Sequence, residues 1–348
     1  MVKKEHFGTT ADGREVSCYI VENGVISFRV MDYGAILLNV WAPDGKGRKE
    51  DVVLGFDTLA PYETQLDNYG AAVGPVANRT ADATFEIDGQ EYHLPANEGV
   101  NNLHTSATEG LHHKLWDVLS GEDFVTFLCT VPDGECGIPG ERHFVVTYSL
   151  TVDNGIRIHY HMTSSKKTYV NPTNHTYFNL DGQGAGYIGD TVLELACSHY
   201  TPVRKGAIPT GEIATVAGTP LDFTREKPIG RDIDADNEQL ALVGGYDHNF
   251  VIDGYTGGGD LVHFATAYSE RSGRQMDVYT NLPGVQFYTG NSMSSVIGKK
   301  GVQYVRRGAF CLETQYYPDA IHEKDWPQPV FGPDSVYDSV TKYVFSVR

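Results

Sequence analysis

A single carboxylate within an apolar segment is the first group in this chain that could perform acid–base chemistry. Glu313 lies in a run that reads Ala-Phe-Cys-Leu-Glu-Thr-Gln over residues 309–315. In an extended strand Phe310 and Leu312 would face one side and Cys311 and Glu313 the other, so both faces are expected to be largely buried. Burial raises the pKa of a carboxyl group toward the range of a general base. The alternative is a structural ion pair.

Histidines and a further acid recur beside predicted turns. His104 and the neighbouring pair Asp247 and His248 each follow a glycine-containing turn. A histidine near a loop is usually a surface residue, so each of these is weak evidence alone. Together with His175 and Glu313 they supply an acid, a base and additional polar groups on loops between strands. Such loops are where binding and catalytic residues tend to lie.

The stretch Asn171–Leu180 is unusually rich in polar side chains for an apolar neighbourhood. It reads Asn-Pro-Thr-Asn-His-Thr-Tyr-Phe-Asn-Leu. Thr, Tyr and Phe favour an extended backbone, and buried polar groups must find hydrogen-bond partners. The stretch could hold a sugar, with its polar groups bonded to the sugar hydroxyls and its aromatic rings packed on the C–H face of the sugar. Alternatively, it could be a turn-rich strand with solvated amides.

Two other patterns indicate structure more than function. Residues 184–189 match Gly-x-Gly-x-x-Gly, but the sequence that follows is strand-like, whereas a dinucleotide site needs a helix there. We therefore predict a glycine loop. Arg157, His159 and His161 alternate with apolar residues, which places them on one face of a strand. Because no carboxylate follows within residues 162–165, we predict a solvated face and no metal site.

Composition and charge limit the possible partners. The chain has 348 residues and a formal net charge of −18, which argues against nucleic acid or an anionic membrane as a partner and suits a neutral substrate. We see no signal peptide and no apolar run long enough to span a membrane. Five scattered cysteines without a Cys-x-x-Cys pair are typical of reduced thiols in a cytoplasmic protein.

Strand signals dominate the chain, and convincing helical periodicity is nearly absent. Residues 57–67 are compatible with a short helix or a loop, and residues 237–242 form at most two helical turns. No linker or fixed-period repeat is evident, so we predict one all-β domain over residues 1–348, a large antiparallel sandwich with very little helix. The predicted strands cover residues 15–22, 25–30, 36–41, 51–56, 83–87, 90–94, 124–130, 142–152, 155–162, 191–196, 247–252, 261–268, 275–280, 285–289 and 309–314.

Several motifs in one order resemble the aldose 1-epimerase (galactose mutarotase) family. The main three are the polar stretch 171–180, Gly-Gly-Tyr-Asp-His-Asn-Phe at 244–250 and Cys-Leu-Glu-Thr-Gln-Tyr-Tyr-Pro-Asp-Ala at 311–320. Gly-Pro-Val-Ala-Asn-Arg-Thr at 74–80, Asn-Asn-Leu-His at 101–104 and Leu-Pro-Gly-Val-Gln-Phe-Tyr-Thr-Gly-Asn at 282–291 fall in the family's order around them. The resemblance therefore runs from about Gly74 to Ala320.

The resemblance implies a β-sandwich of the galactose mutarotase type and an enzyme, without cofactor or metal, that interconverts the anomers of free aldohexoses such as galactose or glucose. It implies Glu313 as the base and His175 as the acid, with the rate falling at low pH as Glu313 is protonated and at high pH as His175 loses its proton. It implies a monomer or a homodimer. The residues that it implies for holding the sugar are Asn78, Arg79, His104, Tyr177, Asp247 and Gln286.

The chain departs from the family pattern near two of these residues. Thr105 and Ser106 follow His104 where the family usually has Gly-Gly, and Pro75 stands where it usually has Arg. Glycine turns the backbone more freely than these residues do, so the departure bears on substrate preference and on the placement of His104.

Two rival functions remain compatible with the sequence. A non-catalytic sugar-binding protein on the same fold would not require both an acid and a base. A glycoside hydrolase would need two carboxylates beside the scissile bond, and Asp247 with Glu313 is the one pair we would nominate.

Overall fold

The computed structural model describes residues 2–64, 67–293 and 295–348, and strands dominate it. Among these residues the α-helices are short: Ala60–Thr64 has five residues and Glu238–Val243 has six. The second begins at Asn237, whose side chain accepts from the backbone N–H groups of Gln239 and Leu240, and ends at Gly244 in the left-handed region. Single 3₁₀ turns occur at Ala81–Ala83, Leu111–His113, Glu135–Gly137, Lys299–Gly301 and Ala320–His322.

One nine-stranded sheet and two five-stranded sheets form the body of the fold. In spatial order, the nine-stranded sheet contains Asp117–Ser120, Phe124–Val131, Arg142–Leu150, Gly155–Ser164, Tyr337–Val347, Arg274–Thr280, Val262–Tyr268, Val192–Leu195 and Lys227–Pro228. The N-terminal five-stranded sheet contains Lys3–Thr9, Glu15–Glu22, Ser27–Met31, Ile36–Pro43 and Lys49–Asp51. The second five-stranded sheet contains Ala214–Thr215, His199–Tyr200, Asp247–Val251, Gly284–Tyr288 and Cys311–Gln315.

Among the described residues, five two-stranded ribbons lie outside these sheets. They pair Arg79–Thr80 with Asn102–Leu103, Ala72–Val73 with Thr173–Asn174, Thr84–Ile87 with Gln90–His93, Thr168–Tyr169 with Val330–Phe331, and Val203–Arg204 with Ile208–Pro209. The pairings between these described strands are antiparallel, and a parallel bridge joins Val76 to Asn171 outside them. The expected all-β fold is therefore confirmed.

One apolar core joins the three large sheets into a sandwich. Strands at the centre of the nine-stranded sheet bury alternate residues, such as Ile156, Ile158 and Tyr160. The same core contains Phe28 from the N-terminal sheet and Phe287 from the second five-stranded sheet. The two five-stranded sheets thus cover one face of the nine-stranded sheet, as period-two patterning of an antiparallel sheet requires.

Several strand predictions differ from the structure. The apolar run 51–56 is buried but pairs as a strand only at Lys49–Asp51; beyond it, the Leu54 N–H donates to the Tyr177 carbonyl at 3.0 Å. Tyr337–Val347, the longest strand described, was not predicted at all. Within residues 57–67 the structure has the helix Ala60–Thr64, and residues 65 and 66 lie outside the described part. The 184–189 segment is a loop followed by the strand Val192–Leu195, as expected.

The alternating basic face predicted at residues 157–161 has a partner that the local sequence did not reveal. His159 and His161 are partly exposed, and both contact the carboxylate of Asp338 on the adjacent strand at 3.0 and 3.1 Å. The acid thus arrives by strand pairing and not from the residues that follow. The prediction of a solvent-facing cluster is confirmed.

Candidate active site

The register of three adjacent strands places the chemical groups on one side of the second five-stranded sheet. Gln286 pairs with Asn249 on one side and with Glu313 on the other. One rung along, Tyr288 pairs with Asp247 and with Cys311. Since side chains alternate between faces, these residues share one face, whereas His248, Phe250, Val285, Phe287 and Leu312 belong to the opposite, buried face.

The polar stretch 171–180 runs beside the Cys311–Gln315 strand and adds His175 to this face. Its amides do not face solvent. Asn171 exchanges hydrogen bonds with the backbone of Tyr316, and Asn174 donates to the Gly70 carbonyl at 3.1 Å. The interpretation as solvated amides was therefore wrong, because these amides are buried and hydrogen-bonded within the protein. The interpretation as a sugar-holding stretch stays a prediction. His175 and Tyr177 are the members that reach the pocket.

An open pocket with a cavity volume of about 110 Å³ lies over this face. Seven of the eight residues expected at the site line it together, although they come from segments far apart in the chain. Gln286 does not line it: its amide donates to the Asp247 carboxylate at 2.7 Å. The lining consists of Asp67, Asn68, Asn78, Arg79, Leu103, His104, His175, Tyr177, Asp247, Tyr288, Ser292 and Glu313.

Glu313 is the exceptional group in the pocket. It is 2% exposed, and its Oε2 is buried without a hydrogen-bond partner among the described residues. The Nε2 of His175 lies 3.7 Å from that oxygen. Burial raises the pKa of Glu313 well above its usual range, Asp247 adds to the increase, and Arg79 opposes it. A buried carboxylate oxygen left unpaired is costly, so it points to a functional role.

His175 is held neutral by its surroundings. Burial lowers its pKa to about 4, and its own backbone opposes this effect. The ring packs beside the Tyr177 ring, with 4.9 Å between centroids, and its Nδ1 lies 3.7 Å from the Sγ of Cys311. The two ring nitrogens therefore have distinct environments, with Nε2 toward Glu313 and Nδ1 toward Cys311.

His104 is fixed by the backbone of Asn78. The Asn78 N–H donates to the His104 Nδ1 at 3.0 Å, and the His104 N–H donates to the Asn78 carbonyl at the same distance. Burial and the neighbouring His175 lower the pKa of His104 well below its usual value. Because Nδ1 accepts a hydrogen bond, the proton of the neutral ring must be on Nε2. His104 is thus a fixed hydrogen-bond donor.

The same constraint decides how well the pocket suits a metal ion. One ligand atom each from His104, His175 and Glu313 lie within 4.8 Å of one another, which is compatible with metal binding by distance. Coordination needs a lone pair on the ring nitrogen, and the bond from Asn78 leaves the Nε2 of His104 protonated. The arrangement therefore favours hydrogen-bond donation over metal ligation.

Arg79 is held between three carboxylates. It makes two bonds to Glu98, at 2.7 and 2.8 Å, and its Nη1 is 4.0 Å from Asp247. Burial alone would lower the pKa of Arg79, but Glu98, Asp247 and Glu313 raise it. Burial raises the pKa of Asp247, while Arg79 and Gln286 act against that shift. The guanidinium is a permanent positive charge beside the acid–base pair.

Sequence reasoning missed five lining residues: Asp67, Asn68, Leu103, Tyr288 and Ser292. Tyr288 could have been found, because it lies two residues after Gln286 on a predicted strand and so shares its face. Its hydroxyl is 2.8 Å from that of Ser292. Leu103 lies on the short strand Asn102–Leu103, and Asp67, Asn68 and Ser292 lie on irregular loops, where spacing carries little information.

The left-handed turn after His104 forms despite the replacement of glycine. His104 has φ +57° and Thr105 φ +69°, a region that β-branched residues rarely adopt. The Thr105 hydroxyl donates to the Val76 carbonyl and accepts from the Val76 N–H, both at 2.8 Å. These two bonds offset the strain, so the turn keeps the shape that glycine would allow.

A layered antiparallel fold with a buried carboxylate facing an imidazole in an open polar pocket defines an isomerase of the mutarotase type. The aldose 1-epimerase family model matches residues 17–344, and the chain belongs to that family. The human galactose mutarotase is 38% identical over 338 residues, covering 96% of this chain and 95% of the relative. The aldose 1-epimerase of Escherichia coli K12 is 35% identical, with 91% of each chain covered.

Solved structures agree with these relatives. A galactose 1-epimerase from Lactobacillus acidophilus has a TM-score of 0.86 and 25% identity, and it covers all of this chain and 99% of its own. An aldose epimerase homologue from C. elegans has the same TM-score, 29% identity, and coverage of 94% and 98%. Among the described residues, no helix has the length and apolarity to cross a membrane.

Proposed function

We propose that this pocket opens and recloses the ring of a free aldohexose, galactose or glucose, with Glu313 as the base and His175 as the acid. The observation that carries this assignment is the unpaired Oε2 of Glu313 facing the Nε2 of His175 at 3.7 Å. That gap is too long for a direct hydrogen bond, so each group is available to a substrate atom. The relatives named galactose mutarotase support galactose as the first sugar to test.

The geometry suits a hemiacetal because both reacting oxygens are attached to one carbon. Glu313 takes the proton of the C1 hydroxyl while His175 gives a proton to the ring oxygen, and the bond between C1 and the ring oxygen breaks. Rotation about C1–C2 turns the other face of the aldehyde toward the C5 hydroxyl. His175 then takes back the C5 hydroxyl proton as that oxygen attacks C1, and Glu313 returns its proton to the former carbonyl oxygen. No atoms are gained or lost.

The remaining polar groups bind the other oxygens of the sugar. His104 offers a fixed N–H, Arg79 a charged donor, and Asn78 an amide. Asp247 accepts hydrogen bonds from sugar hydroxyls. The Gln286 amide orients the Asp247 carboxylate by donating to it at 2.7 Å. Tyr177 presents an aromatic ring of the kind that packs on the C–H face of a pyranose.

The rival functions make different demands on these groups. A hydrolase would use Asp247 as a second catalytic carboxylate, but Gln286 and Arg79 already engage it. A purely binding protein would gain nothing from a buried, unpaired carboxylate. Release of product from an aryl galactoside would favour the hydrolase, and sugar binding without any rate enhancement would favour the binding protein.

The experiment that tests the proposal is polarimetry on freshly dissolved α-galactose and α-glucose. The enzyme should bring the optical rotation to the same equilibrium value faster than the spontaneous reaction, in proportion to enzyme concentration. An unchanged rate for every aldose tried would overturn the proposal.

We also propose a cytoplasmic location and a monomeric or homodimeric state. The five thiols of Cys18, Cys129, Cys136, Cys197 and Cys311 are all free, which suits a reducing compartment. Fractionation of cells and light scattering of the purified protein test these two points.

A further inference from the structure

Gln315 lies beside the site but cannot touch a substrate, because its side chain is completely buried. It follows Glu313 by two residues on the same strand and so shares its face. Its amide nitrogen donates to the Oε1 of Gln286 and to the Oδ1 of Asn249, both at 3.3 Å. Gln286 in turn donates to the Asp247 carboxylate at 2.7 Å. These three amides therefore form a continuous chain that ends on a carboxylate of the pocket.

A glycine on the middle strand leaves the space for this chain. Gly284 pairs with Gln315 on one side and with Val251 on the other. A Cβ at Gly284 would lie 2.6 Å from the Oδ1 of Asn249, so any other residue there would displace that amide. The side chains of the two outer strands thus meet over a position where the middle strand has no side chain.

The Asp247 carboxylate sets the direction of the amides. An ionised carboxylate only accepts hydrogen bonds, so Gln286 turns its NH2 group toward Asp247 and its carbonyl toward Gln315. The Oε1 of Gln315 and the Nδ2 of Asn249 have no hydrogen-bond partner among the described residues, so no contact at the far end sets the direction. Exchanging N and O in both of these amides would keep the bond between them. It would also place the oxygens of Gln315 and Gln286 against each other.

We infer that Gln315 is a positioning residue that holds the NH2 group of Gln286 toward Asp247 and so orients this carboxylate for the sugar hydroxyls. The inference rests on the binding role proposed above for Asp247. A Gln286 side chain without this partner could rotate and present its carbonyl to the carboxylate, which repels it. The alternative is a purely structural amide that joins neighbouring strands.

Gln315→Met tests the inference because it keeps the length of the side chain and removes its NH2 group. Asp247 is asked to bind the sugar and not to transfer a proton, so its disorder should affect binding more than turnover. We expect KM for galactose to rise about three- to tenfold, the scale of one ordinary hydrogen bond, and kcat to change less than about twofold. Polarimetry at several galactose concentrations measures both constants.

A ¹³C carboxyl titration of the full chain measures the pKa of Asp247 directly, with Asp247→Asn as the spectrum that assigns its signal. Losing a donor to the ionised form raises the pKa of a carboxyl group. The charged neighbours Arg79, Glu98 and Glu313 stay the same in Gln315→Met. We therefore expect the measured pKa of Asp247 to rise by about 0.5–1 in this variant, the equivalent of one hydrogen bond.

A double-variant cycle separates positioning from packing. In a Gln286→Leu background the chain of amides is already broken, so adding Gln315→Met should change neither KM nor the pKa of Asp247 any further. Gln183→Met replaces another buried glutamine, which accepts from the Tyr304 hydroxyl and does not line the pocket. This control should leave KM and the pKa of Asp247 unchanged even if it costs stability.

A Gln315→Met protein with wild-type KM, or with an unchanged pKa for Asp247, would overturn the inference. So would effects that add in full to those of Gln286→Leu. In the wild type, the side-chain NH2 signals of Gln286 and Gln315 should both shift as Asp247 titrates, and fixed Gln315 signals would overturn the inference even if no variant folds. These spectra need neither sugar nor turnover. Failure of galactose as a substrate would therefore refute the proposed function without deciding the test of Gln315.

Discussion

The Nε2 of His175 and the Oε2 of Glu313 face each other at 3.7 Å with both side chains buried. Burial favours the uncharged form of each, which raises one pKa and lowers the other. Between the two pKa values the pair therefore carries one proton, and the main form has a neutral Glu313 and a neutral His175. The form that the reaction needs, with an ionised Glu313 and a protonated His175, is a minor form of this singly protonated pair.

The first prediction concerns the acid–base pair itself. Glu313→Gln keeps the shape but removes the base, and His175→Asn removes the acid. Each should lower kcat for galactose by about two to four orders of magnitude, the usual scale for such a group, while KM changes much less. The double variant should be little worse than the worse single one, because the groups act as a unit. His143→Asn, at an exposed histidine, is the control. Near wild-type kcat in Glu313→Gln would refute the assignment.

The pH profile of kcat/KM should be bell-shaped, with His175 controlling the acid limb and Glu313 the alkaline limb. This is the reverse of the assignment expected from the ordinary pKa values of the two residue types. Below about pH 4 the pair binds a second proton at His175, and the base is no longer available. As pH rises through the raised pKa of Glu313, the pair loses its last proton and with it the acid. Activity should therefore persist well below pH 6.5, the ordinary value for histidine. An acid limb near pH 6.5 would contradict this.

Thr105 offers a test of strain against hydrogen bonding. Thr105→Ala keeps the unfavourable φ of +69° and loses both bonds to Val76, so we expect it to destabilise the protein by about 1–3 kcal/mol. Thr105→Gly loses the same bonds but relieves about 1 kcal/mol or more of backbone strain. Urea unfolding should therefore rank glycine above alanine. The reverse order would show that the turn is not strained.

The same turn bears on substrate preference. The Thr105→Gly, Ser106→Gly double variant restores the residues usual in the family next to His104. Because Thr105 already holds the turn in a glycine-like conformation, we expect the ratio of kcat/KM for galactose, glucose, maltose and lactose to change less than about threefold, a fraction of one hydrogen bond. A larger change would mean that these two side chains shape the pocket directly.

A buried ion pair whose members do not line the pocket should govern stability without affecting the chemistry. The Lys299 ammonium binds Asp51 at 2.7 Å and the Val53 carbonyl at 2.8 Å, and it also donates to the Leu38 carbonyl. Lys299→Met leaves the Asp51 carboxylate buried without its partner, so we expect a loss of about 3–5 kcal/mol. Lys300→Met, at the exposed neighbour, should cost little. Equal stability of the two variants would contradict the prediction.

The sequence predicted the fold class and brought together the main site groups, because these depend on strong local signals. Period-two patterning identifies a strand such as 155–162, and motif order identifies Glu313 and His175. Other features depend on contacts that no local pattern shows. The Asp338 carboxylate reaches His159 only through strand pairing, and the Asn171 amide finds its backbone partner at Tyr316, 145 residues away. Tyr337–Val347 was missed although its aromatic and β-branched residues alternate.

Along the three strands beneath the pocket, residues that line or support the site alternate with residues that belong to the core. Asp247, Gln286 and Glu313 point to the polar face, whereas their immediate neighbours such as Phe287 and Leu312 belong to the core. Adjacent positions therefore contribute to two different properties, turnover and stability. In a saturation scan, changes at the positions that face the pocket should lower turnover per folded molecule. Changes at the alternate positions, which face the core, should lower the yield of folded protein. The boundary between what the enzyme does and what keeps it intact runs between consecutive residues, and the sheet has no separate catalytic region to exchange or transplant.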